Sequence, residues 1–185
     1  MAKTNQVRII GGAWRSRRIE FPDHEGLRPS ADRVRETLFN WLGQDLEGLR
    51  CLDVFAGSGA LGFEALSRGA EYVVMVERSR RVCEALRRNA DLLGAKNLQV
   101  HCADALEFAR AAAGDAAQRF DVVFLDPPFA SALLAQVLPL VAPLLRPGAR
   151  VYVESAAAFA AQAGWQVFRH GRAGQVHYTL VTYGD

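Results

Sequence analysis

The stretch Leu49-Arg-Cys-Leu-Asp-Val-Phe-Ala-Gly-Ser-Gly-Ala-Leu-Gly62 restricts more than any other what this chain can fold into. Its apolar first half reads as a buried strand over 49–55, Gly57 and Gly59 as a tight turn, and the residues that follow as the start of a helix. Strand and helix patterns then alternate. Strands are expected at 71–76, 97–101, 120–125 and 149–154, and helices at 59–69, 79–93, 104–113 and 131–145. That alternation implies an α/β fold with a mostly parallel sheet and helices on both faces. The alanine-rich segment 156–163 reads as a short helix. Residues 165–170 and 175–183 read as a closing antiparallel hairpin turning near Gly171–Gly174.

Before residue 49 the pattern differs. Residues 6–21 look like a β-hairpin, with Val7, Ile9 and Ile10 leading into Gly11-Gly12 and a second arm from Trp14 to Phe21. Residues 22–29 are polar, with two prolines and a glycine, and should form a mobile loop. Ser30 is a suitable N-cap for a helix carrying Val34, Leu38, Trp41 and Leu42 at helical spacing, with Asp32 in its first turn. This divides the chain into a basic extension over 1–29, which is not an independent domain, and one domain over 30–185. A length of 185 residues suffices for one full core.

Charge is uneven. The net value is only +2, yet residues 1–35 hold eight Lys/Arg (Lys3, Arg8, Arg15, Arg17, Arg18, Arg28, Arg33, Arg35) against four acids. A basic end on a near-neutral body suggests a polyanionic partner, with Arg8, Arg15, Arg17, Arg18, Arg28 and Arg33 as candidate phosphate contacts. Trp14 suits packing of the hairpin onto the domain better than stacking on nucleic acid. Cys51, Cys83 and Cys102 are dispersed and odd in number, which suits a reducing cytoplasm. His24, His101, His170 and His177 show no metal-ligand spacing, so no metal is expected. No charged-then-apolar leader opens the chain, which argues against a signal peptide. The longest apolar run, 133–145, is too short to span a membrane.

Gly57-Ser-Gly-Ala-Leu-Gly62 fits G-x-G-x-x-G, and Glu77 follows Gly57 by twenty residues at the end of the next strand. Glycines let a backbone approach a ligand, and the acid can accept from ribose hydroxyls. The spacing argues for an adenosine-type ligand held by Phe55, Ala56, Gly57, Ser58, Gly59, Glu77 and Arg78. It does not choose between a nicotinamide dinucleotide and S-adenosylmethionine (SAM). Asp53 helps to choose. A carboxylate about 5 Å from one pyrophosphate charge would cost on the order of 3 kcal/mol at an effective dielectric near 20. SAM instead brings an ammonium and a sulfonium, which Asp53 attracts. Asp104 and Ala105, after the third strand, could receive the adenine amine and a ring nitrogen, and Asp104 equally suits a helix N-cap.

A second stretch, Phe120-Asp-Val-Val-Phe-Leu-Asp-Pro-Pro-Phe129, ends the fourth strand of this alternation. Its two prolines stiffen the chain and leave carbonyls that no helix consumes. The Asp126 carboxylate and the Pro127 carbonyl could accept both hydrogens of a planar amine and aim its lone pair at a methyl group. Pro128 holds the turn, and Phe129 offers a flat base a ring to stack on. From the residues alone, the reading is an amine methyltransferase with a polyanionic partner.

Asp53, Gly57-Ser-Gly59, Glu77, Asp104 and Asp126-Pro-Pro-Phe129 resemble the motifs of class I SAM-dependent amino-methyltransferases. With Arg8-Ile-Ile-Gly-Gly-Ala-Trp-Arg15, Gly26-Leu-Arg-Pro-Ser-Ala-Asp-Arg-Val-Arg-Glu-Thr-Leu-Phe-Asn-Trp-Leu42, Leu66-Ser-Arg-Gly-Ala70 and Gly174-Gln-Val-His-Tyr178, the chain is similar nearly end to end to the RsmD family of bacterial 16S rRNA (guanine-N2)-methyltransferases. Ser30 and Val54 stand where that family usually has Thr and often Leu. The resemblance implies a Rossmann-like seven-stranded sheet with an antiparallel last strand and an N-terminal hairpin that grips rRNA. It also implies methyl transfer from SAM, leaving S-adenosylhomocysteine, to a guanine N2 of the small ribosomal subunit or a late precursor. A cytoplasmic monomer is expected. The competing expectations are an adenine-N6 or other amine methyltransferase acting on DNA or another RNA, a nicotinamide-dependent oxidoreductase, and a non-enzymatic assembly factor that keeps SAM as a structural ligand. Cytosine C5 chemistry needs a thiolate, and no cysteine neighbours the proline turn.

Overall fold

The computed structural model describes residues 4–23, 31–115, 118–128, 132–160 and 163–184. Two strands, β1 (Thr4–Arg8) and β2 (Arg18–Pro22), pair antiparallel as a hairpin. Helix α1 (Asp32–Leu42) follows. Then come β3 (Arg50–Asp53), α2 (Ala60–Ser67), β4 (Tyr72–Glu77), α3 (Arg80–Leu93), β5 (Leu98–Cys102), α4 (Ala105–Ala112), β6 (Phe120–Leu125), α5 (Leu133–Val141), β7 (Leu145–Ser155), β8 (Trp165–Ala173) and β9 (Val176–Tyr183).

Strands β3 to β9 form one sheet in the order β5-β4-β3-β6-β7-β9-β8. Pairings from β5 through β7 are parallel, whereas β9 runs antiparallel to both of its neighbours. The chain winds outward from β3 to β5, then crosses back to place β6 on the other side of β3. This reversal opens a crevice beyond the carboxyl ends of β3 and β6, where open α/β sheets hold ligands. The expected α/β sheet with helices on both faces is therefore present.

Both faces of the sheet are buried, as the near-continuous apolar runs of β4 and β6 require. One face packs Cys51, Met75, Phe124, Tyr152 and Leu180 under α1, α2, α3 and the hairpin. The other packs Leu52, Val74, Val123, Val151 and Val181 under α4 and α5.

Some boundaries differ from the sequence expectations. Helix α1 starts at Asp32 with Ala31 at the N-cap position and no side-chain cap bond, so the cap expected of Ser30 is displaced, and Ser30 itself lies outside the described residues. The helix expected at 131–145 is α5 plus one 3₁₀ turn over Ala142–Leu144, where Pro143 enters. Strand β7 then begins at Leu145, because Leu145 pairs with Phe120 across a bulge. The short helix expected at 156–163 is absent among the described residues there, as the chain bends straight after Ser155. Of the mobile loop expected at 22–29, Pro22 instead ends β2, and residues 24–29 lie outside the described residues.

The hairpin is sealed to the body. Val7, Ile9, Ile19 and Phe21 are buried in the shared core, and Trp14 packs against it. Asn89 of α3 exchanges two hydrogen bonds with the Glu20 backbone, at 3.1 and 2.8 Å. Glu64 of α2, with none of its surface exposed, accepts the N–H groups of Ile10 and Gly11, each at 2.8 Å. The same carboxylate meets Arg68 at 2.8 Å and the equally buried Arg35 at 3.6 Å. Arg35 also donates to the Arg8 carbonyl at 2.9 Å and pairs with Asp32 at 2.6 Å. Arg35 is thus no part of the basic surface inferred from the charge count. Gly12 has φ +74°, and a Cβ there would lie 1.8 Å from the Ser67 carbonyl oxygen, so only glycine permits this approach.

Removing one member of a buried ion cluster leaves the others uncompensated. Glu64→Ala is therefore expected to lower the unfolding free energy by about 3–5 kcal/mol. Urea denaturation measures this, and a loss below about 1 kcal/mol would mean that the cluster does not hold the hairpin.

Candidate functional site

After β3 the chain is pinned residue by residue. Val54 N–H donates to the Phe124 carbonyl at 3.1 Å and Ala56 N–H to the Val76 carbonyl at 3.0 Å. Gly57 and Gly59 take positive φ values, and Gly59 is the N-cap position of α2. A Cβ on Gly59 would stand 2.6 Å from Leu86 and 2.7 Å from Phe63, so the helix and α3 close on a bare backbone here. Ser58 and Ala56 are buried, while Phe55 is half-buried and leans on the opposite core.

Two carboxylates brace this turn, and a third caps the helix after β5. Asp53, only 1% exposed, accepts the Gly62 N–H at 3.1 Å from beneath it. Burial pushes the Asp53 carboxyl up to about 7; the Gly62 and Phe55 N–H groups oppose the shift, and the Glu77 charge adds to it. Glu77, at the end of β4, accepts from Gly57 N–H at 3.2 Å and Ser79 N–H at 2.7 Å, and so braces the turn from the side. Arg78 beside it is exposed. Asp104 caps α4, accepting the Leu106 and Glu107 N–H groups at 2.9 and 3.2 Å, with Ala105 buried behind it. The N-cap reading of Asp104 is therefore realised.

The sheet register relates the glycine turn to the proline turn. Met75, Asp53, Phe124, Tyr152 and Leu180 are successive partners across five strands, so their side chains share one face. Two residues beyond Phe124 on the same strand path comes Asp126, half-buried, followed by buried Pro127 and exposed Pro128. Two beyond Tyr152 comes Glu154, whose partner on β9 is Tyr178. The Tyr152 hydroxyl donates to Glu154 at 2.7 Å. Burial, the Glu154 charge and bond, and then the charges of Asp126 and Tyr178 hold the Tyr152 hydroxyl well above its usual range. Asp53 and Asp126 thus open onto the same side of the sheet at the crevice between β3 and β6. Phe129 lies outside the described residues.

Sequence reasoning gave no site role to Tyr152, Glu154 or Tyr178. Their signal is the run Val151-Tyr-Val-Glu154, a buried strand whose alternate positions turn polar at the tip beside the proline turn. Tyr178 is walled by Trp41 of α1 at 5.4 Å and lies over Gly171, where a Cβ would come within 2.4 Å of its ring. His177 meets His170 at 3.2 Å on the exposed side.

Of the basic residues, Arg8, Arg15, Arg17, Arg18 and Arg33 are exposed. Arg8 pairs with Asp32 at 3.0 Å, Arg17 donates to the Leu92 carbonyl at 2.7 Å, and Arg18 reaches Gln6 at 3.3 Å. Arg28 lies outside the described residues. Among the described residues no group of three or more His, Cys, Asp or Glu could hold a metal. No described helix is long and apolar enough to cross a membrane.

This chain aligns along nearly its whole length with known proteins. The family described as conserved hypothetical protein 95 matches residues 7–182. Ribosomal RNA small subunit methyltransferase D of Escherichia coli K12 is 43% identical over 182 residues, covering 96% of this chain and 90% of that protein. The chain belongs to this family, the RsmD family. The Haemophilus influenzae member is 40% identical over 95% of this chain and 93% of its own length. In three dimensions, a putative methyltransferase of E. coli superposes with a TM-score of 0.84 at 42% identity, covering 97% of this chain and 99% of that one.

Because the Asp53 carboxyl titrates near 7 in the fold and near 4 in the unfolded chain, the folded state holds the extra proton between those values. The stability contribution is complete at low pH and is lost as pH rises through about 7. Relative to Asp53→Asn, the native chain should lose about 2–4 kcal/mol between pH 4 and pH 8, followed by urea denaturation of both proteins.

Proposed function

We propose that this protein transfers a methyl group from SAM to the exocyclic N2 amine of a guanine in the 16S rRNA of the small ribosomal subunit, acting as a cytoplasmic monomer. The observation that carries this reading is the 43% identity to ribosomal RNA small subunit methyltransferase D across 96% of the chain. The convergence of the glycine and proline turns on one crevice supports it.

The residues present fit SAM. The turn presents bare glycine backbone at positive φ at Gly57 and Gly59, and a buried carboxylate beneath it disfavours a pyrophosphate and favours a cation. Phe55, Ala56, Gly57, Ser58 and Gly59 would line the cofactor, Glu77 and Arg78 would lie toward its ribose, and Asp104 and Ala105 toward its adenine. Bound there, SAM supplies a methyl group on a sulfonium, already an activated leaving group. Asp53 acts from below, holding Gly62 and poised to carry negative charge under the turn when a cation binds above it. Asp126 accepts one amine hydrogen and the Pro127 carbonyl the other, which turns the nitrogen lone pair toward the methyl group. Pro128 fixes the turn and Phe129 stacks on the flipped base. The amine becomes acidic only as its new bond forms, so Asp126 needs no raised basicity to receive the departing proton.

The exposed guanidinium groups of Arg8, Arg15, Arg17, Arg18 and Arg33 contact rRNA phosphates, and Arg28 shares that role. Arg8 and Arg18 are register partners on the hairpin, so their charges act as a pair.

Asp126→Ala is expected to slow single-turnover methyl transfer by about 100-fold or more while SAM binding survives. Mass spectrometry of nucleosides from treated small subunits reads out the product. N6-methyladenosine in place of N2-methylguanosine would refute the substrate assignment. Replacing Arg15 and Arg18 together by Glu should raise KM for subunits at least about tenfold, with a shallower salt dependence and unchanged SAM affinity. An unchanged KM would remove the hairpin from the RNA interface.

A further inference from the structure

The far edge of the sheet carries a basic surface that the proposed chemistry does not use. From Ser155 to Gly184 the chain holds no Asp or Glu, and Arg169 and Arg172 within it supply as much charge as the whole molecule's net +2. Both arginines lie on β8, the last strand in the sheet order, so one side of β8 has no described strand beside it. Gln166 to His170 and Arg172 are exposed. The exposed Phe168 gathers two guanidinium groups at its ring, Arg150 of β7 at 4.3 Å and Arg169 at 4.9 Å. Nearer the hairpin turn, His170 stacks on His177 with ring nitrogens 3.2 Å apart, and Arg172 is the register partner of His177.

The pairing of Ser155 with His177, and of His177 with Arg172, sets the Arg172 end of this hairpin at the same end of the sheet as the proline turn. The N-terminal hairpin is fixed instead to α2 and α3, the helices that link β3, β4 and β5. β8 closes the opposite half of the sheet, so the two basic elements flank the crevice between β3 and β6. Charges on an edge strand also block unwanted strand pairing. Either sign serves that purpose, and apolar side chains work against it. Here the charge is of one sign, and Val167 and Phe168 are exposed beside it. Two guanidinium groups held at one ring repel each other, and an anion received between them removes that repulsion.

We propose that the β8–β9 hairpin is a second docking surface for rRNA, on which Arg150, Arg169 and Arg172 take backbone phosphates of a segment flanking the target nucleotide. This rests on the rRNA reading above and extends it to the opposite side of the crevice. Charge complementarity selects the occupant. A polyanion meets cations along the edge, whereas a second copy of this chain would bring the same positive strand against itself. A strand gripped at the N-terminal hairpin alone can pivot about that contact. A second set of phosphate contacts beyond the crevice fixes its direction and register.

The test compares the native chain with the double variants Arg169→Gln/Arg172→Gln and Arg169→Lys/Arg172→Lys in methylation of small subunits at several salt concentrations. The Gln pair is expected to raise KM at least about tenfold and to make the log–log dependence of KM on salt shallower by about 1.5, as the loss of two phosphate contacts requires. SAM affinity stays unchanged. The Lys pair keeps the charge and is expected to restore the native salt slope and a KM within about threefold of the native value. A Gln pair that lowers kcat and leaves the salt slope in place has only a structural effect, which would overturn the proposal. So would an unchanged KM. An independent check needs only the native chain: subunits whose rRNA carries 4-thiouridine are irradiated with it, and the cross-linked peptides are mapped. Adducts are expected within residues 165–177. Adducts confined to the rest of the chain overturn the proposal even if the variants fail to fold. A native chain that sediments as a dimer with its β8 amides protected from exchange assigns the edge to self-association and overturns it too. If the native chain methylates no small-subunit RNA, the functional reading itself falls and takes this inference with it. Methylated product with an unaltered Gln pair removes the docking role of β8 alone.

Discussion

The parallel pairing of β3 with β6 is the constraint on which the rest of this structure depends. It sets Asp53 opposite Phe124 and therefore decides that the glycine turn and the proline turn emerge side by side. A slip of one residue would send every side chain of β6 to the other face and separate the two turns by the thickness of the sheet. The register is protected by burial on both sides: Phe124 and Val123 are each fully enclosed, one in each core, so neither can exchange places without exposing a large apolar surface. The geometry of the site is thus set by the core, and the loops inherit it.

Local electrostatics then tune what the core has placed. Asp53 is held without an ion-pair partner among the interactions that shift it, and burial leaves it poised between charged and neutral forms. Its neighbour Glu77 spends its two oxygens on backbone N–H groups of the turn and of the loop after β4. The turn is therefore braced by two acids rather than by its own hydrogen bonds alone. Such bracing fixes the backbone N–H groups of Gly57, Gly62 and Ser79 in place.

How much of this was readable from the chain depends on whether the signal was local. The strand of 120–125 coincides with β6, and the alternation from residue 49 onward delivered the sheet, because periodicity reports burial directly. The turns at Gly57–Gly59 and Asp126–Pro128 were legible because unusual backbone needs unusual residues. The helix expected at 156–163 failed for the opposite reason: alanine favours a helix in isolation, but the described chain bends straight after Ser155 and packs Phe159 on the core without helical turns. Arg35 was counted with a basic surface because charge sums ignore direction. Its spacing of three and four residues before Leu38 and Phe39 places it on the buried stripe of α1, and that spacing was available in the sequence. Glu154 and Tyr178 come from strands far apart in the chain, and only the pairing of β7 with β9 brings them together.

The attachment of the hairpin by Glu64 bears on how one nucleotide among many is chosen. A tethered arm would let a captured polyanion wander, so that any accessible base of the right chemistry could reach the crevice. Here the hairpin that carries Arg8, Arg15, Arg17 and Arg18 is packed and hydrogen-bonded into the same core that holds the crevice. On the proposed function the protein would work as a caliper: a nucleotide would be modified only if it sat at the correct span from a backbone segment gripped by the hairpin, a span that the folded shape of the ribosomal particle would supply at one place.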